Sequence, residues 1–99
     1  MPEMHFVIRW PDDTVEACYS PSLVVRDYLV VGETYALADF LTRSRTALTI
    51  ASERVREKYG FACADAARQL ATLDARARAF DGTAEARVAI EAFHPAERQ

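Results

Sequence analysis

Between Tyr35 and Tyr59, the residues Leu37, Leu41, Ser44, Leu48, Ala51, Val55 and Tyr59 recur at spacings of three and four. A period near 3.6 puts them on one stripe of an α-helix, so the pattern predicts a helix over 35–59, roughly six to seven turns long. Such a helix uses 25 of the 99 residues and must bury its stripe on something. Thr34 or Asp39 is the expected N-terminal cap. Asp39 with Arg43, and Glu53 with Arg56, fall at pairing distance along its outer side. Phe40, Ala47 and Ile50 widen the stripe beyond a single contact. The helix is therefore expected to bury against two neighbours, either a sheet and a second helix or a second subunit. Gly60 ends it.

A second amphipathic helix is predicted over 62–80, with a stripe of Ala62, Ala66, Leu70, Leu73, Ala77 and Phe80. Its other alanines raise helicity and permit close packing. Asp74 and Arg78 are an expected i,i+4 pair. Asp81-Gly82-Thr83 breaks the helix.

The remaining pattern has period two. Met4, Phe6, Ile8 and Trp10 share one strand face, and Pro11-Asp12-Asp13-Thr14 reads as a four-residue turn. Val15, Ala17 and Tyr19 then share a face of a second strand, making a hairpin over 4–19. Ser20-Pro21-Ser22 supplies a cap and a first-turn proline for a short helix over 22–29, stopped by Gly32. Val88, Ile90 and Ala92 mark a strand over 87–93. The tail from His94 is polar and expected to fray. The reading is an α+β domain over 1–99: N-terminal β-hairpin, short helix, two long amphipathic helices and a C-terminal strand. Its sheet is three-stranded, mainly antiparallel, and covered by helices on one face.

Composition narrows the function. The net charge is −3 and the pI near 5.3, against the basic footprint of a nucleic-acid binder. The hydrophobic fraction of 51% includes 18 alanines, and no apolar run reaches membrane-spanning length. The start lacks the basic and apolar regions of a signal peptide, so a cytoplasmic protein without membrane or nucleic-acid partners is expected.

Few residues invite chemistry. Cys63 stands at the start of the second long helix, where unpaired N–H groups favour a thiolate. The plainer alternative is a small buried hydrophobe. Cys18 lies opposite the Val15 face and is accessible only if its own face meets solvent. His5, Cys18, Cys63 and His94 are scattered singly, without the close ligand pairs of structural zinc, so no metal and no cofactor are expected. Arg45 and Arg56 border the apolar stripe and are candidates to clamp a carboxylate or phosphate. The competing reading is a solvated helix face. Cys18, Cys63, Arg45, Arg56 and His5 are the candidate ligand or thiol site. No catalytic signature surrounds them.

Several segments resemble one bacterial family. They are Met1-Pro-Glu-Met-His-Phe, Arg9-Trp10-Pro11-Asp12, Cys18-Tyr19-Ser20-Pro21-Ser22, Asp39-Phe40, Arg43-Ser44-Arg45, Ala51-Ser52-Glu53-Arg54-Val55-Arg56 and Lys58-Tyr59-Gly60-Phe61-Ala62-Cys63. In order and spacing this is similar to the small nitrogen-starvation-response proteins, over residues 1 to about 70. The family pattern has Gly where this chain has Asp13, and often Ser where it has Ala64. The resemblance implies a gene cluster with a nitrilase-type hydrolase, a radical S-adenosylmethionine enzyme, an acetyltransferase-like protein and a flavoprotein, linked to nitrogen limitation and cyanide assimilation. It carries over no catalytic residue. The expected function is a non-catalytic accessory or small-ligand-binding protein, a homodimer or a partner of another protein of that cluster. The alternatives are a thiol-dependent enzyme or redox protein using Cys63 or Cys18, and a regulator binding a small nitrogen metabolite between subunits.

Overall fold

The computed structural model describes residues 3–61, 63–80 and 85–95. Strands β1 (Met4–Arg9), β2 (Val15–Ser20), β3 (Thr34–Ala36) and β4 (Arg87–Pro95) form one antiparallel sheet in the order β2-β1-β4-β3. Helices α1 (Leu37–Tyr59) and α2 (Ala64–Ala77) pack on the face from which Trp10 projects. Phe40 of α1 meets the Trp10 ring edge-on, and Phe80, just beyond α2, stacks on it. The α+β class and the one-sided helix layer agree with expectation. The sheet has four strands rather than three.

The extra strand is β3. Its residues pair with Ala89, Val88 and Arg87 and run straight into α1. Three residues are too few to display alternation, so the predicted helix absorbed two of them. Helix α1 therefore starts at Leu37, not Tyr35. Neither Thr34 nor Asp39 caps it, because the N-cap position is Ala36. The Leu37 N–H instead donates to the Ala86 carbonyl at 3.0 Å. At the other end Gly60 adopts φ 84° and its N–H closes on the Arg56 carbonyl at 2.8 Å, as a left-handed cap requires.

The hairpin differs in one detail with large consequences. The Trp10 N–H donates to the Thr14 carbonyl, and Asp13 N–H to the Trp10 carbonyl. The loop is thus Pro11–Asp13, three residues rather than four, with Asp13 at φ 69°. A one-residue change of register flips every side chain on the strand. Phe6 consequently opposes Cys18, and Met4 opposes Ser20. Cys18 and Ser20 are buried, while Val15 and Ala17, expected on the apolar face, are exposed.

A bulge does the same in β4. Ile8 opposes Ile90, but Val7 opposes Ala92, so Glu91 is an extra residue. Ala92 therefore leaves the Val88–Ile90 face and Phe93 joins the core opposite Phe6. His94 pairs with His5 inside β4 rather than in a frayed tail.

The short helix is a 3-10 turn over Leu23–Asp27. Ser22 caps it, accepting from the Val24 N–H at 3.3 Å. The β-branched Val24-Val25 pair disfavours a longer helix. Gly32 belongs to the next turn, at φ 91°, where its N–H reaches the Ile90 carbonyl. Helix α2 is shorter than the predicted 62–80 and ends in a 3-10 turn, Arg78–Phe80. Ala62 and the Asp81-Gly82-Thr83 break lie outside the described residues.

The wide apolar sector of α1 is filled by its own chain. Phe40, Ser44, Ala47, Leu48 and Ala51 are buried against α2, the 3-10 turn and the sheet. That width does not call for a second subunit. The core joins Phe40, Ala47 and Leu48 to Met4, Phe6, Ile8, Trp10, Val25, Leu29, Leu73, Val88 and Ile90.

Candidate functional site

The five candidate residues do not converge. Cys18 sits under α2 in the core, fully enclosed. Burial pushes its thiol well above the ordinary range, Glu16 adds to the shift, and Arg76 opposes it. A thiol held neutral and out of reach is no nucleophile at pH 7. His5 lies on the other side of the sheet, its ring edge-on to Tyr19 at 6.1 Å.

Cys63 is half-buried at the N-cap of α2. Its own N–H donates to the Ser52 hydroxyl of α1 at 3.3 Å, which ties the inter-helix turn down. Its side chain makes no capping hydrogen bond. It lines an open depression of about 340 Å³ with Glu3, Tyr19, Pro21, Tyr59, Phe61 and Asp65. Tyr59 and Phe61 are 52% and 67% exposed, the most apolar surface at this end of the molecule. Neither cysteine forms a disulfide.

The arginines are used elsewhere. Arg45 grips both carboxylate oxygens of Asp74 from one Nη2, at 2.8 and 3.0 Å, joining α1 to α2. This replaces the expected Asp74–Arg78 pair. Arg56 faces Glu53 at 3.9 Å on the exposed surface, and Asp39–Arg43 closes at 3.0 Å, both as expected. These exposed pairs contribute little individually.

Arg43 does more than its place on the outer side of the stripe foretold. It also donates to the Tyr28 carbonyl at 3.0 Å and lies over the Tyr35 ring at 4.8 Å. One guanidinium thus ties together α1, β3 and the end of the 3-10 segment. Arg54 similarly reaches the Ser22 hydroxyl at 3.2 Å, and with Arg26 it borders a second open depression of about 320 Å³. Sequence spacing could not reveal either contact, because both partners are distant in the chain.

Across the sheet, Arg9 and Glu91 pair at 2.5 Å, which raises the Arg9 pKa through that hydrogen bond. In the hairpin loop, the Thr14 hydroxyl and N–H hold the Asp12 carboxyl below the usual carboxylate range. Among the described residues, no three His, Cys, Asp or Glu side chains are placed to hold a metal ion. Nor is any helix long and apolar enough to cross a membrane.

The fold and its surface thus define a small α+β domain, one antiparallel sheet under a two-helix layer, with its candidate reactive groups dispersed. The chain belongs to the family of nitrogen starvation-induced proteins NitG, whose family model matches residues 5–93. That match runs through every strand and both helices, past residue 70, where the sequence resemblance ends. No curated protein and no solved structure matches the chain.

Proposed function

We propose that this nitrogen starvation-induced protein works as a non-catalytic accessory or small-ligand-binding protein of the nitrogen-limitation response, in a pathway that handles nitriles or cyanide. The observation that supports this reading is the dispersal of its reactive groups. Cys18 is sealed in the core, Cys63 faces an open depression, Arg45 is committed to Asp74, and His5 lies beyond the sheet. A nucleophile needs an activating base, and burial holds the Cys18 thiol in its neutral form.

Growth on limiting nitrogen tests it. A host lacking the gene is complemented with the wild-type chain or with the Cys18→Ala/Cys63→Ser double variant. Full complementation by a folded double variant is expected. Loss of growth from Cys63→Ser alone, with the protein folded, overturns the accessory reading in favour of thiol chemistry. The thiol-dependent alternative rests on one feature, the access of Cys63 to its depression beside Tyr59 and Phe61. Thermal-shift measurements with nitriles, cyanide adducts and amino acids separate ligand binding from a purely protein-directed role, because a ligand that binds only the folded state raises Tm.

A further inference from the structure

Acidic residues outnumber basic ones in this chain, 15 to 12, so an arginine without a carboxylate partner stands out. Among the described residues, six arginines form ion pairs with an Asp or Glu. Arg26 and Arg54 do not, and both border the open depression of about 320 Å³ between the 3-10 turn and α1. Arg78 and Arg87 also lack such a partner but do not border it. The depression carries a third charge, Asp27, whose carboxylate pairs with no cation among the described residues. Charges of both signs thus line one concavity without neutralising each other.

Arg54 is not a loose surface cation. Its Nη1 donates to the Ser22 hydroxyl at 3.2 Å. Ser22 is buried, and its hydroxyl also accepts from the Val24 N–H at the start of the 3-10 turn. The guanidinium is therefore held at one nitrogen, while its Nε and Nη2 bond to nothing among the described residues. Arg26 and Asp27 stand side by side on the turn, and Leu23 and Val24 complete the wall.

We propose that this depression binds a small amino dicarboxylate. Its lining carries two positive charges and one negative, so the complementary ligand carries two carboxylates and one ammonium. Arg26 and Arg54 each take a carboxylate through the charge-assisted hydrogen bonds that a guanidinium fork provides. Asp27 takes the ammonium. The volume lies at the small end of ligand sites, which suits a metabolite rather than a nucleotide. Arg26, Asp27 and Arg54 are exposed, so water and salt weaken each contact. A Kd of about 0.1–1 mM is expected. The proposal rests on the small-ligand form of the reading above and gives it a site and a ligand class.

An amide NMR titration of the full chain with L-glutamate, to about 20 mM, tests it. Saturable shifts are expected over residues 23–28 and around Arg54. Arg26→Gln, which has no protein contact to lose, is expected to weaken binding about 5- to 30-fold at an unchanged Tm. Arg54→Gln weakens it similarly. Glutarate, which lacks only the ammonium, is expected to bind the wild type about 3- to 10-fold more weakly than glutamate, and Asp27→Asn removes or reverses that difference. Arg45→Gln, whose partner is Asp74, leaves binding intact. Absence of saturable shifts overturns the proposal. So does binding that survives both Arg26→Gln and Arg54→Gln, or wild-type binding of glutarate or inorganic phosphate as tight as that of glutamate. If glutamate fails while a nitrile or cyanide adduct raises Tm, this site falls and the small-ligand reading stands.

Discussion

The two faces of the sheet come from the same alternation yet end in opposite conditions. Toward the helices, Met4, Phe6, Ile8 and Trp10 are each at most 1% exposed. Their neighbours His5, Val7 and Arg9, on the other side, remain partly open. The difference teaches that alternation groups residues by face without saying which group is buried. On β1 hydrophobicity decides. On β2 it does not, because Val15, Ala17 and Tyr19 are more apolar than Glu16, Cys18 and Ser20, and yet the second set turns inward. Pairing with β1 overrides composition.

The sharpest test of this asymmetry is truncation on either side. Trp10 is enclosed by Phe40 and Phe80, lies under Arg76, and donates its indole N–H to Glu16 at 2.9 Å. Trp10→Ala is expected to cost about 3–5 kcal/mol in urea unfolding, enough to leave a domain of this size marginal. Val7→Ala, on the outer face, is expected to cost less than about 1 kcal/mol. Equal costs would show the outer face to be as sealed as the inner one.

Cys18 sharpens the contrast through pH. Its thiol, raised by burial, keeps its proton in the folded state after the unfolded thiol has lost its own. Stability from this group is therefore complete below the unfolded value and declines as pH rises above about 8.5, by roughly 1.4 kcal/mol per unit. Unfolding measured from pH 8 to 10 should show this decline in the wild type and a shallower one in Cys18→Ala. Identical slopes would mean that solvent reaches the thiol. Labelling with a thiol reagent should agree, with Cys63 modified in the folded protein and Cys18 only on unfolding.

Much of this fold was legible in the sequence, and what was missed has a common cause. The α1 stripe, the β1 face and the Gly60 stop are local patterns, repeated over enough residues to stand out. The four-residue reading of the hairpin loop was also local, but wrong by one residue, and that single residue exchanged the faces of β2. The β4 bulge moved Ala92 in the same way. Strand β3 is too short to carry a pattern, and Arg43 acts through Tyr28 and Tyr35, partners that spacing along a helix cannot disclose. As for the candidate site, residue type identified what could react. Only three-dimensional placement showed that Cys18, Cys63, Arg45, Arg56 and His5 never meet.

Ser44 tests how completely the helix layer seals the inner face. Its hydroxyl is buried without a hydrogen-bond partner among the described residues, on a stripe otherwise apolar. An unpaired buried hydroxyl is destabilising, and Ala is the better helix former. Ser44→Ala is expected to stabilise by about 1 kcal/mol, raising Tm by roughly 4–8 °C. A loss of stability instead would place a water or another partner on that oxygen.

The smallest effect concerns the loop that sets the register. Asp13 holds φ 69°, the left-handed region that Gly enters without cost and Asp enters at a modest one. The resemblance to the nitrogen-starvation-response proteins placed Gly here. This chain holds the left-handed conformation with Asp at that position: Trp10 closes on Asp13 and Thr14, through backbone atoms alone. The Asp13 side chain is exposed, and its backbone carbonyl, which accepts from Arg9, survives substitution. Asp13→Gly is therefore expected to stabilise by roughly 0.5 kcal/mol, the relief of strain partly offset by the greater freedom of Gly in the unfolded chain. Asp13→Val should do the reverse and by more, since a β-branched residue is a true outlier at positive φ. Denaturant midpoints of the two variants against wild type decide it. If both leave the midpoint unchanged, the loop is not held in the left-handed form, and the register that turns Cys18 inward must be fixed by the helices instead.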